Sequence, residues 1–95
     1  MAKRSELDEW AVGFGLLSNP TRLGALKVLT TGPKNVTALC KALGRKEPAI
    51  SHSVGLLRRG RLVIGTRKGK SVTYCIDPAR MKALAAAIVK LTPRK

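Results

Sequence analysis

Few side chains in this chain could make or break bonds, and their spacing argues against that use. His52 is the single histidine, with no evident carboxylate or nucleophile partner in its segment. Cys40 and Cys75 lie 35 residues apart and form neither a Cys-x-Cys nor a Cys-x-x-Cys pair. A zinc site needs three or four ligands, so no tight intrachain zinc or arsenite site, and no cofactor, is expected. The thiols read as small, buried or half-buried groups, with redox sensing as the alternative. Five acidic residues are too few for a paired-carboxylate centre, and no phosphate-cradling glycine motif is present. No catalytic residue is assigned, and an enzyme is not expected.

What the chain has in excess is positive charge. Nineteen Lys and Arg face five Asp and Glu, a formal net charge of +14 over 95 residues. The excess is lopsided: residues 1–31 hold four basic and three acidic residues, and residues 32–95 hold fifteen against two. Such asymmetry points to a polyanionic partner, most often nucleic acid, with an acidic membrane surface as rival. No apolar run approaches the roughly 20 residues of a membrane span, and no secretory signal is evident. A cytoplasmic protein with reduced cysteines and no membrane partner is the expectation.

The elements that must position this charge can be read from periodicity. Ninety-five residues suit one domain, here 1–95, with a modest aliphatic core. Leu7, Trp10, Phe14 and Leu17 recur at helical spacing over 5–17. Asn19-Pro20 then supplies an N-cap and a first-turn proline for a helix bearing Leu23, Leu26 and Leu29. A short helix from about Val36 to Leu43 stops at Gly44, and the next runs from about Glu47 to Arg59 with Pro48 in its first turn. Leu62–Thr66 and Ser71–Ile76 alternate as strands about Lys68-Gly69-Lys70. Asp77-Pro78 repeats the cap-and-proline signature before a final helix, 78–91, striped by Met81, Leu84, Ala85, Ile88 and Leu91. The fold predicted is mainly α with a small β-hairpin, ordered helix–helix–helix–helix–strand–strand–helix.

In the helix 47–59, Ile50, Val54 and Leu57 must face a core, which leaves Pro48, Ser51, His52, Gly55 and Arg59 on the other arc. Small and hydrogen-bonding residues there let a helix enter the roughly 12 Å wide major groove. A short helix, a glycine turn, a second helix (36–59) and a basic hairpin (62–76) in succession make a winged helix-turn-helix. Ten basic residues from 34 to 70 face only Glu47. Glu47, Pro48, Ser51 and His52 are the candidate base-reading residues on double-stranded DNA. Lys34, Arg45, Lys46, Arg58, Arg59, Arg67, Lys68 and Lys70 are the candidate phosphate contacts.

The stretch from Leu16 to Asp77 resembles the arsenic-repressor (ArsR/SmtB) family of bacterial winged-helix transcriptional regulators. The resemblance rests on Asn19-Pro20-Thr21-Arg22-Leu23, the 36–43 helix, Ala49-Ile50-Ser51-His52, Leu62-Val63, and the wing Arg67-Lys68-Gly69-Lys70 with Val72-Thr73-Tyr74. The chain departs from the family pattern at Lys46, where a capping serine is usual, and at Ser53 and Gly55. The resemblance implies a homodimer whose terminal helices pair through Leu7, Trp10, Phe14, Met81, Leu84, Ile88 and Leu91. It also implies an imperfect inverted repeat as target and repression released by an effector, which no residue identifies. Two other readings fit the residues: a non-specific architectural nucleic-acid binder, and a winged-helix module that binds protein.

Overall fold

The computed structural model describes residues 5–93; residues 1–4 and 94–95 of the expected domain lie outside the described residues. Five helices and three strands follow in the order α1 (Glu6–Leu17), α2 (Pro20–Leu29), β1 (Lys34–Asn35), α3 (Val36–Leu43), α4 (Glu47–Arg59), β2 (Val63–Lys68), β3 (Ser71–Ile76) and α5 (Pro78–Lys90). The helix-turn-helix and hairpin stand where periodicity put them, with two differences. β2 runs on to Lys68, so the hairpin turn is only Gly69-Lys70 between the paired Lys68 and Ser71. Gly69 has φ +62° at the first turn position, which a two-residue II′ turn demands. The second difference is β1, which pairs Lys34 with Tyr74 and Asn35 with Thr73 and turns the hairpin into a three-stranded antiparallel sheet of order β1-β3-β2.

Local chemistry fixes the helix starts. Ser5 and Asp8 form a reciprocal capping box on α1. Asn19 Oδ1 accepts from the Arg22 amide (3.1 Å), Asn35 Oδ1 from the Ala38 amide (2.9 Å), and Asp77 Oδ1 from the Ala79 amide (3.1 Å). α4 is the exception: its N-cap, Lys46, makes no side-chain cap hydrogen bond. Arg22 has a separate task. Its Nε donates to Leu16 O (2.7 Å) and its Nη2 to Gly15 O (3.1 Å), so a guanidinium closes the carbonyl end of α1 and faces its negative dipole.

The core is one aliphatic cluster. Ala25, Leu26 and Leu29 of α2, Leu39 of α3, and Ile50, Val54 and Leu57 of α4 meet Leu62, Val63 and Leu84. Close approach of helices depends on glycines: a Cβ on Gly24 would lie 2.9 Å from Leu43 Cδ2, and one on Gly13 would run into the Leu84 side chain. Leu84 is therefore seated within the protomer, 3% exposed, whereas the stripe that contains it continues outward through Ile88 and Leu91 (53% and 64% exposed). Leu23 also differs from its expected place on the buried stripe of α2, being exposed.

Candidate nucleic-acid interface

α4 is divided along its length. Ile50, Val54 and Leu57 are buried, with Ser53 beside them, and this face fixes the helix on α2 and α3. Glu47, Pro48, Ser51 and His52 are all exposed on the N-terminal half of the opposite side. No side chain nearer than 4 Å stands over Gly55, so the middle of that side is open. The helix thus presents a narrow, polar, low-relief ridge whose footing is hydrophobic and fully packed.

The start of the ridge is unusual in its hydrogen bonding. Ile50 N–H is bonded to Lys46 O (3.2 Å), and Pro48 has no N–H to offer. The first-turn amides of Glu47 and Ala49 therefore precede the first intrahelical bond, with no acceptor from the Lys46 side chain. Arg45 and Lys46, both exposed, stand at this positive helix end.

Two clefts separate the wing from the helices. Arg58, Arg67, Gly65, Val72 and Tyr74 line one of ≈320 Å³ between the end of α4 and the sheet. Gly65 leaves room between its neighbours: a Cβ there would crowd Tyr74 Cε1 at 3.1 Å and Val72 Cγ1 at 3.3 Å, and would touch Arg58 Cδ at 3.4 Å. The second cleft, ≈240 Å³, joins Asn35, Val36 and Thr37 at the start of α3 to Lys70, Ser71, Val72 and Tyr74. Arg58 and Arg67 are thus brought together, with Lys70 over the neighbouring cleft and Lys68 exposed on the last residue of β2. Tyr74, at the edge of both clefts, belongs to the wing pattern of the sequence but was not among its candidate contact residues. Its pairing with Gly65 across the hairpin is the feature that could have drawn attention to it.

Two expected phosphate contacts stand elsewhere. Lys34 is half-buried in β1 and its Nζ reaches 4.0 Å from where a Cβ on Gly32 would be, beside the turn after α2. Arg59 points away from Arg58, into a cleft with Arg61, Arg80 and Glu9. Cys40 and Cys75 are free and half-buried, and among the described residues no three of His, Cys, Asp and Glu come together as a metal site. No described helix is long and apolar enough to cross a membrane.

A family model described as bacterial regulatory protein, arsR family, matches residues 19–64, which run from the cap of α2 into β2. The chain is similar to the arsenical resistance operon repressor of Escherichia coli, 38% identical over 77 residues, covering 80% of this chain and 65% of that one. It also matches the solution structure of a homodimeric winged helix-turn-helix DNA-binding domain from Mycobacterium bovis. There the identity is 30% and the TM-score 0.73, over 99% of this chain and 94% of that one. The chain belongs to the arsR family of bacterial regulatory proteins. A further relative is similar over a shorter span: the HTH-type transcriptional regulator NmtR of Mycobacterium tuberculosis is 42% identical over 60 residues, covering 63% of this chain and 50% of that one. The chain thus spans about half to two-thirds of the length of these two curated relatives. These relatives are transcriptional regulators, and no enzyme family is indicated. The arsR-family match covers α2 through α4 in full, so the helix-turn-helix itself carries the membership.

Proposed function

We propose that the protein is a homodimeric, sequence-selective DNA-binding transcriptional regulator, working as a repressor on an imperfect inverted repeat. The observation that carries the reading is the division of α4 into a packed apolar face and an exposed face bearing Glu47, Pro48, Ser51 and His52. Those four residues meet base edges. Arg45 and Lys46 at the helix start, Arg58 and Arg67 in the first wing cleft, and Lys68 and Lys70 at the tip hold phosphates on either side. The homodimeric state of the Mycobacterium bovis domain supports a dimer, and the exposed Leu7, Ile88, Val89 and Leu91 of the terminal helices offer its seam. Trp10 and Phe14 on α1 and Met81 on α5 are half-buried behind that surface.

The test separates reading from holding. A preferred duplex is selected from a random pool by binding, and affinities for it and for a scrambled duplex are measured across a salt series. Ser51→Ala and His52→Ala should each cost about 1–3 kcal/mol per half-site on the preferred duplex and little on the scrambled one. Lys68→Ala/Lys70→Ala should weaken both duplexes alike and flatten the salt dependence by about 0.9 per lost contact. Equal losses on both duplexes for the Ser51 and His52 variants would displace the regulator in favour of an architectural, non-reading DNA binder.

A further inference from the structure

The cleft that receives Arg59 is not part of the reading ridge. It lies where the end of α4 meets α1 and the start of α5, roughly 18 Å along the helix axis from Glu47 at 1.5 Å per residue. Its volume is ≈330 Å³, and its lining is Arg59, Gly60, Arg61, Arg80, Glu9 and Val12. Three guanidiniums, two at the end of α4 and one from α5, share the cleft with one carboxylate. Arg80 is held in place, donating Nε to Gly60 O (3.4 Å) and pairing with Glu9 Oε2 at 4.0 Å.

The backbone adds a second, independent observation. α4 ends in a Schellman motif, in which Leu62 N–H donates to Leu57 O and Arg61 N–H to Arg58 O, both at 3.0 Å. The residue that must adopt the left-handed conformation in this motif is ordinarily glycine. Here it is Arg61, with φ +63°, the single non-glycine residue of positive φ among those described. The adjacent glycine, Gly60, is committed elsewhere, because a Cβ on it would run into Leu16 of α1. An arginine therefore stands at a position whose backbone favours glycine, and its side chain lines a basic cleft. Strain kept at such a site points to a use for the side chain.

We infer that this cleft is a receptor for a small oxyanion of the phosphate class, bound by Arg59, Arg61 and Arg80. Guanidinium forks match phosphate oxygens in charge and in geometry. Glu9 competes for Arg80, so occupancy draws Arg80 from α1 and couples the α1–α5 pair to the end of α4. The inference goes beyond DNA reading and does not depend on it.

The test uses the whole protein, free of DNA, at constant ionic strength balanced with chloride. Inorganic phosphate and pyrophosphate are titrated while the arginine Nε–H resonances and the heat of binding are followed. Saturable shifts at Arg59, Arg61 and Arg80 are expected. Arg59→Gln and Arg61→Gly should each weaken binding about tenfold, as for loss of a charged hydrogen bond. Lys82→Gln, an exposed α5 change outside the cleft, should leave it as it is. Arg61→Gly should at the same time raise the melting midpoint by about 5 °C at fixed protein concentration, since glycine relieves the strained φ. A more stable protein that has lost its anion cannot be explained by misfolding. Absence of saturable shifts, or equal weakening by Lys82→Gln and Arg59→Gln, would overturn the proposal. A final titration with the selected duplex identifies the source of the oxyanion. If the duplex shifts the same three resonances, the anion is a DNA phosphodiester; if it does not, the ligand is a free small molecule.

Discussion

Replacing Lys46 by serine should move stability and DNA affinity in opposite directions. Lys46 holds the N-cap position of α4 with φ −77° and ψ 155°, the extended geometry a capping serine adopts, yet its own side chain caps nothing. Pro48 has no amide, so the acceptor introduced by Lys46→Ser has one well-placed donor, the Ala49 N–H three residues on. Gaining that cap is worth about 1 kcal/mol, which for a domain of this size is about 4–8 °C in melting midpoint. The same change removes a cation from the positive end of the helix that meets DNA. In a dimer two phosphate contacts are lost, so the slope of log K against log salt should become shallower by about 1.8. Thermal denaturation at fixed protein concentration and fluorescence anisotropy on a labelled duplex at several salt concentrations read the two effects separately. A variant no more stable than the wild type would refute the capping argument. An unchanged salt slope would refute the placement of Lys46 against phosphate.

Two further pairs of substitutions test packing and assembly. Gly13→Ala forces a methyl into Leu84 and should destabilise by about 1–3 kcal/mol, whereas Gly55→Ala, in open space within α4, should stabilise by about 1 kcal/mol; denaturant titration of both variants checks the contrast. Leu84→Ala should cost about 2–5 kcal/mol in the same assay because Leu84 belongs to the protomer's own core. Ile88→Lys should leave that core intact and shift sedimentation from dimer to monomer at micromolar concentration; a dimer unaffected by the added charges would show that the seam lies elsewhere.

The helices were legible because cap residues and apolar period coincide: Asn19-Pro20 and Asp77-Pro78 mark their starts, and α4 spans Glu47–Arg59 as its pattern predicts. β1 was not legible, since a two-residue strand has no alternation and Asn35 also serves as the cap of α3. Periodicity also could not say which neighbour each apolar side chain meets. Leu84 and Ile88 share one stripe in sequence, yet only Leu84 finds a socket, and that socket exists because residue 13 is glycine. The basic residues show the same limit. Arg58 and Arg59 are adjacent in sequence but about 100° apart around the helix, so one joins the wing and the other joins α1 and α5. Arg61 was the least legible, because the glycine expected to end α4 stands one residue earlier, where Leu16 requires it.

The light anchoring of α1 has a consequence in mass action. Its one buried residue is Gly13, and its ties to the core, Phe14, Leu16, Leu17 and the bonds from Arg22, all belong to its C-terminal half. The half beginning at Glu6 rests on α5 through the Lys90–Glu6 ion pair (3.7 Å), the Arg80–Glu9 pair (4.0 Å) and the Lys90 ammonium 5.8 Å over the Trp10 ring. With Leu7 exposed, that half gains further order from whatever covers it. When the cover is a second copy, protein concentration becomes a term in the folding equilibrium. Dilution then loosens the start of α1 before it reaches the helix-turn-helix, so amide exchange at residues 6–10 would report the abundance of the protein itself.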